Sequence, residues 1–256
     1  GGGPTGIAAA YFLARGGVQT TIFEREEKLG GVPRYVIPAF RISDEALDKD
    51  VALMERLGVE VKCGAPAPSV AELKKMGYTH ILLATGAWQA GELGIPGNVR
   101  GVIAWMKEMK QQVKPCLEGH VVVVGAGNTA MDAARVAKRM GAASSTIVYR
   151  RTKKEMPADE HELKLAIDEG VNLVELAAPV EQKDGKLICN QMKLGEPDAS
   201  GRRSPIATGE TFEIPCDLVL SAIGEKVDAK LMAENGIEMG RKGPAFQTNV
   251  ENVWSA

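Results

Sequence analysis

Two glycine-rich turns of one type, set far apart in the chain, constrain this sequence more than any other feature. Gly1-Gly2-Gly3-Pro4-Thr5-Gly6 stands at its head, and Gly125-Ala126-Gly127-Asn128-Thr129-Ala130 follows His120-Val121-Val122-Val123-Val124. Such a turn is informative only between a strand and a helix. One glycine makes the bend, one lets the backbone approach a pyrophosphate, and one lets helix and strand pack closely. The helix that follows offers unpaired N–H groups to the anion. Two such turns predict two nucleotides held face to face, a layout suited to passing hydride between a nicotinamide and a flavin.

Around the turns, helical and strand patterns alternate. Gly6 to Ala14 reads as a helix, Thr20 to Phe23 as a strand ending at Glu24, and Glu26 to Gly31 as a polar loop. An irregular segment runs through Pro33 and Pro38, then a helix capped by Ser43 over Asp44 to Leu57, and strands at Val59–Val61 and His80–Gly86. Pro96 and Gly97 mark a crossing between domains. The second turn leads into a helix to Met140, a strand at Thr146–Tyr149, a helix at Glu160–Glu169 and a strand at Val171–Leu176. Short strands in a meander are expected over Lys186–Ile214, and a buried strand over Asp217–Gly224. This alternation predicts an α/β fold of two Rossmann-like, doubly wound domains.

Bulk properties exclude several classes. Among 256 residues, 31 basic and 33 acidic side chains leave a net charge of −2, which favours neither nucleic acid nor an anionic membrane. No apolar run reaches the ~18 residues of a spanning helix, and no signal-peptide pattern is present. Cysteines at 63, 116, 189 and 216 form no C-x-x-C pair, so the chain encodes no zinc ribbon, iron–sulfur site or redox dithiol. Scattered thiols fit a reducing, cytoplasmic setting. With no initiator Met and a start inside a motif, the sequence is expected to be a piece of a longer chain.

At the first turn, Gly1, Gly3 and Gly6 fit the fingerprint, and Glu24 ends the next strand, where an acid accepts hydrogen bonds from ribose hydroxyls. Ala84-Thr85-Gly86 closes a strand in small residues, letting the chain pass near a cofactor. At the second turn Ala130 replaces the third glycine, and the next strand ends in Tyr149-Arg150-Arg151 without an acid. A carboxylate there would repel the 2′-phosphate of NADP, whereas guanidinium groups bind it in a charge-assisted fork. NADPH is therefore expected rather than NADH. A competing reading makes Arg150, Arg151, Lys153 and Lys154 a solvated basic edge or a nucleic-acid patch. Asp132 either favours the positive helix N-terminus or lies beside the cofactor. His80, His120 and His161 stand far apart, and no hydrolytic triad or metal set is encoded.

Taken in order, these motifs resemble the small subunit of NADPH-dependent glutamate synthase. The resemblance rests on the first turn, Phe23-Glu24-Arg25, Gly30-Gly31-Val32-Pro33-Arg34-Tyr35-Val36-Ile37-Pro38, Ala84-Thr85-Gly86, the second turn with Met131-Asp132, Arg150-Arg151 and Ala222-Ile223-Gly224. The same module occurs in dihydropyrimidine dehydrogenase and in a selenate-reductase-type subunit. Leu194-Gly195-Glu196-Pro197-Asp198-Ala199-Ser200-Gly201-Arg202-Arg203 is especially similar to the latter.

The resemblance implies an NADPH domain over 96–216 inserted into an FAD domain formed by 1–95 and 217–256. It places Gly3, Pro4, Thr5 and Gly6 on the FAD pyrophosphate, Glu24 by the ribose, and Gly31, Val32 and Arg41 along the flavin side, with Gly1, Arg25 and Gly86 also among the cofactor-binding residues. Gly125, Gly127, Asn128, Thr129 and Ala130 would hold NADPH, Arg150 and Arg151 its 2′-phosphate, and Ala222, Ile223 and Gly224 the cleft wall. Hydride would pass from NADPH to FAD, then electrons to an iron–sulfur domain or subunit and a catalytic large subunit or domain. No side-chain acid or base is required. A thioredoxin-reductase-like activity is disfavoured for want of C-x-x-C; a nucleotide-binding module without flavin chemistry is the remaining alternative. The family also carries cysteine-rich sequence upstream and a Gly-Asp motif after its last strand. A strand expected before Gly1 would bury about five side chains at ~1.5–3 kcal/mol each, comparable with the ~5–15 kcal/mol stabilising a domain. An incomplete FAD site and weak FAD binding are the resulting expectation.

Overall fold

Four consecutive valines leave no polar face, so the segment that carries them is stable only when covered on both sides. In the computed structural model, which describes residues 1–199, 201–240 and 246–256, the strand His120–Val124 lies at the centre of a five-stranded sheet. The order across that sheet is Val99–Gly101, Leu218–Ser221, His120–Val124, Ser144–Val148, Asn172–Val174, and every neighbouring pair is parallel. Ser200, within the 194–203 segment, lies outside the described residues.

These strands belong to one of two compact units, Gln89–Lys226; the other joins Gly1–Trp88 to Val227–Ala256. In the Gln89–Lys226 unit, the helix Asn128–Arg139 lays Ala130, Met131, Ala133, Ala134 and Ala137 into the interior, none more than 0% exposed. Small side chains at this spacing let the helix approach its sheet closely. The same helix buries Arg135, whose Nη2 donates to Glu169 Oε1 at 2.6 Å, while Arg139 Nη2 reaches that oxygen at 2.7 Å. Glu169 ends the helix Glu160–Asp168. The two guanidinium groups, Arg139 first, hold its carboxyl down at a pKa of about 2.

A three-stranded antiparallel meander follows, built from Ala177–Lys183, Lys186–Pro197 and Arg203–Pro215. Short strands were expected here because Gly195 and Pro197 read as breaks. Instead Gly195 lies inside the long strand Lys186–Pro197, which shifts register between Leu194 and Pro197 and ends at that proline. Leu187, Cys189, Ile214 and Cys216 from the meander share a core with Val122, Val148 and Val219 of the parallel sheet. Burial pushes the Cys189 thiol to about 11 and the Cys216 thiol to about 12, which makes both poor nucleophiles.

In the other unit the helix Pro4–Arg15 takes Pro4 in its first turn, where the missing N–H costs nothing. The helix Asp44–Glu55 begins where Ser43 Oγ accepts from Ala46 N. Thr21–Phe23 pairs in parallel with Glu60–Lys62, and Ile81–Leu83 with Val253–Ser255, as two separate two-stranded sheets. Ile22, Leu29, Met54 and Val59 form one apolar cluster; Val70, Leu73, Ile81, Met232 and Val253 form another. The segment expected to be irregular contains a short helix, Gly31–Tyr35. Pro33 is accommodated because first-turn N–H groups have no partner within the helix. Helices at Val70–Lys75 and Ala229–Glu234, unread in the sequence, are each capped by a preceding polar side chain, Ser69 and Asp228.

The crossings between units fall at 88/89 and 226/227 rather than 95/96 and 216/217. The strand Leu218–Ser221, expected on the return to the first domain, bonds to Val99–Gly101 and His120–Val124 and belongs with them. Among the described residues no helix is long and apolar enough to cross a membrane.

Candidate functional site

At the C-terminal end of the central strand the chain must turn sharply beneath a neighbouring strand. Gly125 does so at φ +151°, and a Cβ there would lie 2.2 Å from the carbonyl oxygen of Ala222. The third fingerprint position, Ala130, is fully buried in the helix–sheet contact, which explains why a small side chain suffices. Gly127 differs from both. It is the N-cap of Asn128–Arg139, and a Cβ on it would meet nothing within 4 Å. Protein packing therefore does not require glycine there; open space over a helix N-terminus does what a bound phosphate needs.

That space is part of a cleft of about 640 Å³, within the range of small-molecule sites. Gly125, Gly127, Thr129, Ala222, Ile223, Gly224, Arg150 and Arg151 are among the residues that line it. Eight predicted residues thus meet in one place. Asn128 does not line the cleft: its Oδ1 accepts from Asp159 N at 3.2 Å and ties down the following loop. Ala130 is likewise a packing residue. Arg150 is exposed, whereas Arg151 is 7% exposed and donates from Nε to the Arg203 carbonyl at 3.0 Å. Arg202 also lines the cleft, and nothing local in the sequence marked it. Asp132, left open between two roles, is buried in the first turns of the helix.

The first turn has a different character. A Cβ on Gly6 would sit 1.9 Å from Gly1 O, and one on Gly1 would sit 2.1 Å from Ala84 O, so both are glycines of close packing. Gly31, at φ +56°, would place a Cβ 2.7 Å from Gly3 Cα, and Gly30 N donates to Gly2 O at 2.7 Å. Gly1–Gly6, Gly30–Val32 and Ala84–Gly86 therefore converge. Pro4 and Thr5 open the helix above them. Glu24 is 7% exposed, and its carboxylate accepts from Gly2 N at 2.6 Å and Glu26 N at 2.9 Å. It shapes the turn, and each oxygen keeps a lone pair for a further donor. Arg25 lies over the Trp88 ring at 5.1 Å, beside Gly86. Arg41 follows Pro38 in a turn, its N bonded to Pro38 O.

Arg34 is a structural contributor that sequence reasoning passed over. Buried at 5% exposure, it donates from Nε to Leu29 O and from Nη2 to Asp48 Oδ1 at 2.6 Å. It thereby braces the Gly30–Gly31 bend against the helix Asp44–Glu55. Its partner is 14 positions away, beyond any local signal. Among the described residues no group of three His, Cys, Asp or Glu side chains could hold a metal ion.

The profile of the pyridine nucleotide-disulphide oxidoreductase family matches residues 1–256. The chain belongs to that family. The Escherichia coli (strain K12) protein named "Putative oxidoreductase YgfK" is 40% identical over 95% of the chain and 24% of its own length. The NADPH-Fe(3+) oxidoreductase subunit beta of Geobacter sulfurreducens (strain DL-1 / KN400) is 38% identical over 93% of the chain and 38% of its length. The glutamate synthase [NADPH] small chain of Halomonas elongata is 32% identical over the whole chain and 61% of its length. This pyridine nucleotide-disulphide oxidoreductase chain thus spans between a quarter and three fifths of these curated relatives. Among solved structures, Mycobacterium tuberculosis FprA in complex with NADPH superposes with a TM-score of 0.82 at 18% identity, covering the whole chain and 76% of FprA. That likeness establishes the two-domain family fold.

Proposed function

We propose that this chain is the NADPH- and FAD-binding module of an oxidoreductase that moves reducing equivalents from NADPH to a flavin. The observation that carries the reading is the glycine cradle at Gly127: open space over a helix N-terminus, walled by Arg150 and Arg151. In it Gly125, Gly127 and Thr129 would hold the pyrophosphate, and Ala222 to Gly224 would bound the opposite side. Arg150, exposed at the strand end, would engage the 2′-phosphate. In the other unit, the turn Gly1–Gly6 with Gly31 and Val32 would hold FAD, with Glu24 and Arg25 beside the adenosine. When bound, NADPH supplies a hydride and the flavin takes up two electrons that it can release singly. The chain's own contribution is positioning, since no acid or base is needed for hydride transfer.

Three relatives carry names ending in subunit beta or small chain. These names support a partner subunit, to which we assign the iron–sulfur clusters and, in a catalytic large subunit or domain, the remote acceptor. A cytoplasmic location follows from the same reading.

Titrating the protein with NADPH and with NADH, with and without added FAD, tests it. Tighter binding of NADPH and bleaching of flavin absorbance on its addition are expected. Equal affinity for the two nucleotides would sink the NADPH assignment, and NADPH binding without flavin reduction would leave a binding module only. Arg150→Ala is the clean probe of the 2′-phosphate, because Arg151 also supports the fold.

A further inference from the structure

The cleft wall includes a residue from a distant part of the unit. The strands Lys186–Pro197 and Arg203–Pro215 meet at a tip where Asp198 N donates to Arg202 O at 2.9 Å, and Arg202 N donates to Asp198 Oδ1 at 3.0 Å. These bonds set the direction in which the next side chains leave the tip. Arg203 turns back along the hairpin, donating from Nε to Gly195 O at 2.8 Å. Its own carbonyl is held by Arg151 Nε at 3.0 Å, which ties the tip to the end of the strand Ser144–Val148. Arg202, exposed and without a side-chain partner among the described residues, lines the cleft with Arg150 and Arg151.

Three arginines, Arg150, Arg151 and Arg202, stand among the residues that line one cleft, with Glu225 as the single acid among them, so the lining carries a net positive charge that suits an anion. Like charges repel, and a phosphate dianion removes that repulsion while accepting paired N–H donors. We infer that Arg202 is a specificity-determining residue for the adenosine 2′-phosphate, delivered to the cleft by the meander hairpin. Arg151 is the positioning residue that fixes the tip. The inference rests on the NADPH reading above and extends it to a third arginine.

Calorimetric titration with adenosine 2′,5′-bisphosphate and with adenosine 5′-phosphate separates the two claims. Wild-type protein should bind the bisphosphate far more tightly. Arg202→Ala should lower that preference about tenfold while leaving adenosine 5′-phosphate affinity unchanged, and Arg202→Lys should restore part of it. An unaltered preference in Arg202→Ala, alongside a collapsed one in Arg150→Ala, overturns the role of Arg202 and leaves the NADPH reading standing. A loss that falls equally on both ligands also overturns it, since the residue would then only shape the cleft. No preference in the wild type would remove both readings together.

Discussion

Glycines that look alike in a fingerprint do different work, and substitution should separate them. Gly125 is pressed against Ala222, so Gly125→Ala forces backbone apart and should lower the melting temperature and abolish nucleotide binding together. Gly127 has φ −89° and no neighbour within 4 Å of a Cβ. Gly127→Ala should therefore keep stability within ~0.5 kcal/mol yet weaken NADP+ at least tenfold, by filling the cradle. Thermal unfolding and calorimetric titration of both variants check this; matched losses of stability would contradict it. At this scale the site was largely legible, because Gly125, Gly127, Thr129, Arg150 and Arg151 lie within one strand–turn–helix–strand stretch. Arg202 and Arg34 were not legible. Arg202 joins the cleft lining from a hairpin whose next residue, Arg203, is tied to Arg151, and Arg34 pairs with Asp48, so both placements are set by the tertiary fold.

Between elements, the clamp of Arg135 and Arg139 on Glu169 joins Asn128–Arg139 to the end of Glu160–Asp168. Because the folded Glu169 pKa, about 2, lies below its usual value of 4.5, the clamp stabilises the fold above pH 4.5 and fades as the pH drops from there toward 2. Glu169→Gln should cost ~1–2 kcal/mol at pH 7, part of the pair being exposed and screened, and progressively less in acid. Urea midpoints measured from pH 7 to 3 check it; a difference that stays constant with pH would contradict the charge-based account. Strongly patterned elements such as His120–Val124 and Asn128–Arg139 were readable from periodicity and flanking glycine. Leu218–Ser221 was readable as a buried parallel strand but not as a member of a particular sheet. Its small-residue ending matches that of Ala84-Thr85-Gly86, and only its hydrogen-bond partners tell the two units apart.

For the molecule as a whole, each unit has apolar clusters of its own, one described in Gln89–Lys226 and two in the other unit. NADP+ bound in the cleft of the Gln89–Lys226 unit should stabilise that unit by ~2.7 kcal/mol at a hundredfold excess over its dissociation constant. Differential scanning calorimetry should then show the nucleotide shifting heat absorption from that unit, whereas FAD shifts the remainder. A single transition moved equally by either ligand would show that the units unfold as one. The pairing of Val253–Ser255 with Ile81–Leu83 has a consequence for biosynthesis. On a ribosome, Ile81–Leu83 emerges roughly ten to thirty seconds before its partner strand, at typical elongation rates. The intervening segment contains a complete unit that can fold during that wait. Nascent Gly1–Trp88 must stay soluble with part of its core uncovered, which makes it the stretch where a chaperone has most to do.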